Sequence, residues 1–158
     1  MFEDSVTSVW LNGGPKGFLQ ARTAVGINKK GQGRGLVCAD FDNDGDIDIL
    51  TVNQGSAPTL WRNDNVATVR NWLEIDLKGR VPNTKALGAK VIVRSASLTQ
   101  IREVQAGSSY LSQAPARLHF GLGADESAEV TVIWPNRERS VLTAKAGVML
   151  RVEQLLRK

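Results

Sequence analysis

The sequence lacks the features that anchor a chain covalently or in a membrane. Cys38 is the single cysteine among 158 residues, so an intramolecular disulfide is excluded. No apolar run reaches the length of about eighteen residues that indicates a transmembrane helix. The opening residues 1–5 lack the basic end and apolar stretch of a signal peptide, so we expect no leader in this chain. Folding must then depend on a packed core, in which Cys38 is expected as a small buried side chain.

Residues suited to catalysis are also scarce. His119 is the only histidine, and its apolar neighbours favour a structural role over that of a general base. The serines of residues 106–113 lack a Gly-x-Ser-x-Gly motif, and Gly31–Gly35 lacks the Gly-Lys-Ser/Thr ending of a phosphate-binding loop. We therefore predict that the protein is not an enzyme. A hydrolase is the less favoured alternative, and any activity should survive Glu103→Gln.

Charge is distributed unevenly along the chain. Residues 1–65, the first half, hold six Lys/Arg against eight Asp/Glu, a net charge of −2. Residues 66–158, the second half, hold fourteen against eight, a net charge of +6. The basic residues are dispersed, which is typical of a solvated surface, so we predict no specific nucleic-acid partner. Anionic glycans, lipids or nucleic acid are the alternatives that a basic half leaves open.

The second half has a β pattern throughout. Leu73, Ile75 and Leu77 alternate with Trp72, Glu74 and Asp76, which predicts a strand with one buried and one wet face. Seven strands are predicted, with a hairpin joining the second and third, at Asn71–Leu77, Leu87–Arg94, Thr99–Val104, Arg117–Gly121, Glu129–Trp134, Ser140–Leu142 and Val148–Glu153. Seven short strands in such a length favour a β-sandwich or a barrel. The inward positions of the fifth strand place Trp134 in the core.

The first half is richer in glycine turns, and its predicted strands are Val6–Leu11, Gly35–Ala39, Ile47–Val52 and Thr59–Arg62. Val9–Asn12 and Thr59–Asn63 are alike and about fifty residues apart, which is the spacing of a repeating β unit. A single repeat cannot bury its own apolar face. We therefore expect this half to be a partial array that needs packing from residues 66–158, with the junction at residues 63–70.

The segment Asp40–Asp48 is predicted to bind calcium. Ca²⁺ takes about six to eight oxygen ligands, which a short loop supplies when carboxylates recur at every second residue around a tight turn. Gly45 permits that turn, and Asp46 can offer its backbone carbonyl. The predicted ligands are Asp40, Asp42, Asp44, Asp46 and Asp48. Thr51 stands where an EF-hand needs a bidentate glutamate, so the site is a different calcium loop, and we interpret its ion as structural.

Two stretches resemble known families. Gly35–Leu50 contains the segment Asp40–Asp48, which we call the acidic loop. The whole stretch resembles the FG-GAP or VCBS repeat of integrin-like β-propellers. The second half resembles the ASPIC and UnbV domain, which commonly closes proteins built from such repeats, in the blocks Asn71–Leu73, Leu87–Val91, Arg102–Gln113, Leu118–Gly123 and Val132–Pro135. The resemblance implies an all-β chain in which one partial propeller-type repeat is packed on, or linked to, a seven-strand sandwich-like domain. It also implies an extracellular or cell-envelope adhesion module with further repeats in a longer parent.

A ligand-contact region is predicted in the loop Ala106–Gln113, whose aromatic, hydroxyl and amide groups suit the recognition of a protein or glycan. A loop that only bonds its own backbone is the simpler alternative. A carbohydrate-binding role would require an exposed aromatic platform. The candidate residues are Trp72, Ser108, Tyr110, Ser112 and Gln113.

Overall fold

The computed structural model describes residues 5–21, 26–64 and 70–155. The predicted domain boundary between residues 65 and 66 lies outside these ranges. The described residues form an all-β structure, which confirms the predicted fold class. Among them no helix has the length and apolar character needed to span a bilayer.

The second half forms two sheets that share one core. Its seven strands among residues 70–155 are β8 (Asn71–Lys78), β9 (Lys90–Arg94), β10 (Thr99–Glu103), β11 (Leu118–Gly123), β12 (Ser127–Ile133), β13 (Arg139–Lys145) and β14 (Val148–Glu153). One sheet has the order β10-β9-β12-β13 and the other the order β11-β8-β14. Their inner faces enclose a cluster in which Phe120, Leu73 and Val91 are fully buried. This is the predicted sandwich-like arrangement.

The register places the alternating residues as the sequence predicts. β9 and β10 form the expected antiparallel hairpin, with Arg94 opposite Thr99, and Trp134 is buried in the core. Strand β14 returns parallel to β8, with Leu150 opposite Ile75. Consequently β8 is the central strand of its sheet, and its three inward residues are buried.

The first half is built from short strands. They are β1 (Ser5–Val6), β2 (Trp10–Asn12), β3 (Phe18–Gln20), β4 (Lys30–Gly31), β5 (Gly33–Ala39), β6 (Asp48–Asn53) and β7 (Thr59–Trp61), with a 3₁₀ turn at Gly14–Lys16. Strands β5, β6 and β7 form an antiparallel three-stranded sheet, and β1-β4 and β2-β3 are two-stranded ribbons. The acidic loop connects β5 to β6. The propeller-type interpretation of this half stays a prediction.

Two predictions about burial are wrong. Cys38, expected in the core, is exposed. The outer face of β8, expected to be wet, carries Glu74, which is only 3% exposed, and Trp72, which is half-buried. The physical reason in the second case is that the acidic loop of the first half packs against this face of β8.

Candidate metal loop and its docking surface

The acidic loop, residues 40–48, is called the metal loop from here on. It is shaped by its own carboxylates. Asp40 accepts hydrogen bonds from Asp44 N at 3.2 Å and from Gly45 N at 2.9 Å. Asp48 accepts from Phe41 N at 3.0 Å, and also from Asn63 N at 2.8 Å, which ties the loop to the end of β7. These hydrogen bonds from backbone amides hold the carboxylates of Asp40 and Asp48 in the interior of the turn.

Carboxylate oxygens converge at two adjoining points. Asp40, Asp42 and Asp48 form one group whose oxygens all lie within 4.8 Å of one another, and Asp42, Asp44 and Asp64 form another. Asp42 belongs to both. The carboxylate of Asp46 belongs to neither group, and its backbone carbonyl is the ligand that the sequence predicts.

The loop concentrates negative charge. Desolvation, together with the charges of Asp44 and Asp48, raises the pKa of Asp42 above its ordinary value. Arg62 is the basic residue beside the cluster, with Nη1 at 3.9 Å from Asp42 Oδ2 and Nε at 2.7 Å from Asp64 Oδ1. Arg117 also approaches the loop, but it is paired with Glu74, so most of the carboxylate charge of the loop stays unbalanced.

The donor set fits calcium. Both groups consist of aspartate oxygens, the hard ligands that Ca²⁺ prefers, and neither includes the histidine or cysteine that zinc or copper favours. An ionised carboxylate has about four lone-pair sites. The oxygens of Asp40 and Asp48 that accept hydrogen bonds from backbone amides can therefore also bind a cation. Such an ion would offset two of the five carboxylate charges of the loop.

The second half covers the loop with four side chains, Trp72, Glu74, Arg117 and His119, which we call the docking surface. His119 Nε2 lies 2.7 Å from Gly45 O, and because a carbonyl only accepts, this ring nitrogen carries the proton and donates it. The His119 ring stacks on Trp72, with centroids 6.4 Å apart and planes inclined by 18°. His119 therefore forms a contact between the two halves, and its predicted structural role in place of a catalytic one stays a prediction.

Arg117 joins the loop to β8. Its Nη1 donates to Asn43 Oδ1 at 2.7 Å and to Glu74 Oε2 at 2.7 Å. The hydrogen bond with Glu74 raises the pKa of the Arg117 guanidinium. Glu74 is thus a buried carboxylate with a charged partner, the arrangement that makes burial of a charge tolerable.

The loop and the docking surface enclose a cavity of about 250 Å³. Asp40 and Ile47 line it from the first half, and Glu74, Arg117 and His119 line it from the second. The two halves are therefore in contact through hydrogen bonds and ring packing beside a small cavity whose lining is mostly apolar.

The predicted ligand-contact loop is partly fixed in place. Ser112 Oγ accepts from Leu36 N at 2.9 Å and donates to Tyr110 O at 2.9 Å, so this hydroxyl joins the loop to β5. Tyr110 is 68% exposed, and Ser108 and Gln113 are exposed as well. The expectation that Trp72 is an exposed platform is wrong, because its ring lies against Gly45 and His119.

Several residues of the site were not predicted from the sequence. Asp64 follows β7 and reaches the carboxylates from outside the spaced motif, so motif spacing gave no signal for it. Glu74 and Arg117 are 43 positions apart, and only the three-dimensional structure brings them together. One signal for Glu74 was present in the sequence. Glu74 shares a strand face with Trp72, and a large aromatic residue on that face indicates that the face is covered.

Comparison with known proteins supports the family resemblance predicted for the second half. Residues 79–154 match the family described as ASPIC and UnbV. Cartilage acidic protein 1 of Homo sapiens is 33% identical over 137 residues, which cover 82% of this chain. The same-named protein of Xenopus tropicalis is 34% identical over 132 residues, or 77% of this chain.

The chain spans 20% of the length of these curated relatives. Because 82% of the chain is aligned with the human protein while the family match begins at residue 79, the similarity extends into the first half. Residues 79–154 therefore match the ASPIC and UnbV family, and the chain as a whole is similar to a short portion of cartilage acidic protein 1.

Proposed function

We propose that this chain is a non-catalytic, extracellular or cell-envelope binding module in which Ca²⁺, held by the metal loop, stabilises the contact between the two halves. The observation that carries the proposal is the convergence of the Asp40, Asp42 and Asp48 oxygens within 4.8 Å. Oxygen donors in this number, around a turn that the backbone already closes, suit Ca²⁺ better than the smaller Mg²⁺, which prefers a rigid octahedron and retains its waters.

A structural ion is favoured over a catalytic one by where the loop lies. Gly45 and Asn43, between the ligand positions, contact the second half. Asp40 and Asp48 are buried and bonded to backbone amides. An ion in this position would order the backbone of a contact between two sheets, a role for which no open coordination position is needed.

Binding is proposed for surfaces away from the ion. Tyr110 is exposed in the loop 106–113, and exposed aromatic and hydroxyl groups suit a protein or glycan ligand. Glycan-array binding that is lost in Tyr110→Ala would favour carbohydrate recognition over protein adhesion.

Further repeats of a longer parent are the second proposed partner. The first half exposes large apolar side chains, including Trp10 and Phe18. Patches of this kind typically mark an interaction surface, and a neighbouring repeat would cover them. The relatives are about four times the length of this chain, since the aligned 82% of it covers 20% of the human protein.

Thermal melting tests the calcium role. Calcium at a hundredfold excess over Kd should stabilise the folded chain by about 2.7 kcal/mol relative to EDTA. Asp42→Ala should melt at the same temperature in calcium and in EDTA, because it removes the carboxylate common to both groups. Glu129→Ala, which removes an exposed carboxylate far along the chain, should keep the full calcium response. Equal melting temperatures for the unmodified chain in calcium and in EDTA would refute the proposal.

A further inference from the structure

We infer that Trp72, Arg117 and His119 position the metal loop, so that calcium binding is thermodynamically coupled to docking of the two halves. The inference rests on the calcium role proposed above and adds to it a set of residues outside the loop that control affinity. None of the three supplies a carboxylate to either group of converging oxygens. Their effect on calcium would pass through the backbone conformation of the loop.

The contacts fall on the two left-handed residues of the loop. Asn43 has φ of 61° and Gly45 has φ of 95°, and these residues alternate with the predicted ligands Asp42, Asp44 and Asp46. Left-handed backbone is sterically costly for most residues. The docking surface binds both positions, since Arg117 donates to the Asn43 side chain and His119 donates to the Gly45 carbonyl.

Trp72 limits the same turn from the other direction. A Cβ built on Gly45 would overlap the indole of Trp72, so the backbone approaches this ring as closely as glycine allows. His119 stacks on Trp72. The indole is therefore held between the loop and the imidazole, and the loop cannot shift toward β8.

Coupling follows from the charge of the loop. Five carboxylates in the nine residues 40–48 repel one another, so without a cation this repulsion weakens the closed loop, and opening would separate Gly45 O and Asn43 from the docking surface. Contacts that form only with the closed loop favour the geometry that binds calcium. By reciprocity, calcium must then favour docking by the same factor.

A purely structural role makes a different prediction. If the docking surface only packed the two halves together, its substitution would lower stability without changing the affinity of the folded protein for calcium. Affinity and stability must therefore be measured separately, on folded protein.

His119 offers a matched pair of variants. His119→Phe keeps a ring against Trp72 but removes the donor to Gly45 O, whereas His119→Gln retains an amide donor with similar reach. Calcium titration in competition with a chelator should give a Kd about fivefold weaker for His119→Phe, which corresponds to one net hydrogen bond. The affinity of His119→Gln should return toward that of the unmodified chain.

Each outcome has a separate meaning. Equal calcium affinity in the unmodified chain and in folded His119→Phe overturns the coupling and leaves the calcium role standing. Absence of calcium binding in the unmodified chain overturns the proposed function itself. Loss of affinity in both variants means that a donor at this position does not suffice without the imidazole ring, and contradicts the route through the hydrogen bond alone.

Hydrogen exchange on the unmodified chain gives a test that does not depend on a variant folding. Calcium should slow amide exchange in β11 and at the start of β8 as well as in the metal loop, because docking protects all three segments. Protection restricted to residues 40–48 would overturn the inference.

Discussion

Gly45 is constrained in two independent ways. Its φ of 95° lies in the region that favours glycine, and Trp72 occupies the space where a side chain would begin. The coordination motif requires the glycine for the first reason. The fold requires it for the second. The cost of the left-handed backbone and the cost of the collision with Trp72 can be separated experimentally.

Gly45→Ala should destabilise the protein by about 1–3 kcal/mol more than Gly55→Ala, the typical cost of overpacking. Gly55 is the matched control because it also has positive φ, at 73°, but nothing lies within 4 Å of a Cβ built there. In both variants alanine is strained by the positive φ, but only the side chain of Gly45→Ala collides with Trp72. Urea unfolding in EDTA measures the difference without any contribution from calcium. Equal losses in the two variants would show that the ring moves aside freely.

The convergence of Asp40, Asp42 and Asp48 was predictable because metal coordination would impose a local pattern on the sequence. Alternate carboxylates with glycine at the turn are determined by the geometry of a single loop, so Asp40 and Asp48 could be assigned from spacing. Asp64, Glu74 and Arg117 could not be assigned, because their partners are distant in sequence. A charged residue on a strand is expected in water until the element that covers it is known.

At the scale of elements, Asp125 links the loop between β11 and β12 to the turn between β9 and β10. Its carboxylate accepts from Ser97 Oγ at 2.6 Å and from Ser97 N at 2.9 Å. It follows β11 in the chain, whereas Ser97 belongs to the turn between β9 and β10. The contact therefore links the β9-β10 hairpin to the connection between β11 and β12, that is, it joins the two sheets of the sandwich at one end.

Stability should depend on pH through this contact. Hydrogen bonds from Ser95, and then from the side chain and backbone of Ser97, lower the pKa of Asp125 from its ordinary value of 3.8. The folded-state value lies below the unfolded-state value, so the stabilisation is present above pH 3.8 and is lost as pH falls through the folded-state pKa. The difference in unfolding free energy between the unmodified chain and Asp125→Asn should be constant near neutral pH and should shrink in acid.

Ser97→Ala is the matched control, since it keeps the carboxylate and removes its hydroxyl donor. It should reduce the same acid dependence in part, because the backbone donor remains. Denaturant melts between neutral pH and pH 3 provide the measurement. Parallel curves for Asp125→Asn and the unmodified chain would show that this contact contributes no pH dependence.

Several strands of the second half were predictable because buried apolar residues recur in them at every second position. Val91 and Val93 recur at alternate positions on the buried face of β9, and Val130 and Val132 do the same in β12. The short ribbons of the first half were missed in part, because β2 and β3 are exposed along their whole length. Without a buried face, a strand has no period-two signal to detect.

For the whole molecule, the position of the core decides which part can fold alone. The main hydrophobic cluster of the described residues runs from Leu73 to Val152 and lies entirely in the second half. The buried apolar residues described in the first half are Ala21, Ile27 and Ala39. The second half therefore has its own sandwich core, whereas the first half depends on its surroundings.

A fragment of residues 70–158 should consequently fold alone and unfold cooperatively, but it should be less stable than the whole chain by about 2 kcal/mol or more. The reason is that it loses the hydrogen bonds from Arg117 to Asn43 and from His119 to Gly45, each contributing about 1 kcal/mol, and exposes Trp72. A fragment of residues 1–64 should show no cooperative transition, because a partial repeat cannot bury its face. Urea melts followed by circular dichroism measure both. A cooperative transition in residues 1–64 would place a folding core in the first half, and then the docking surface would join two independent domains.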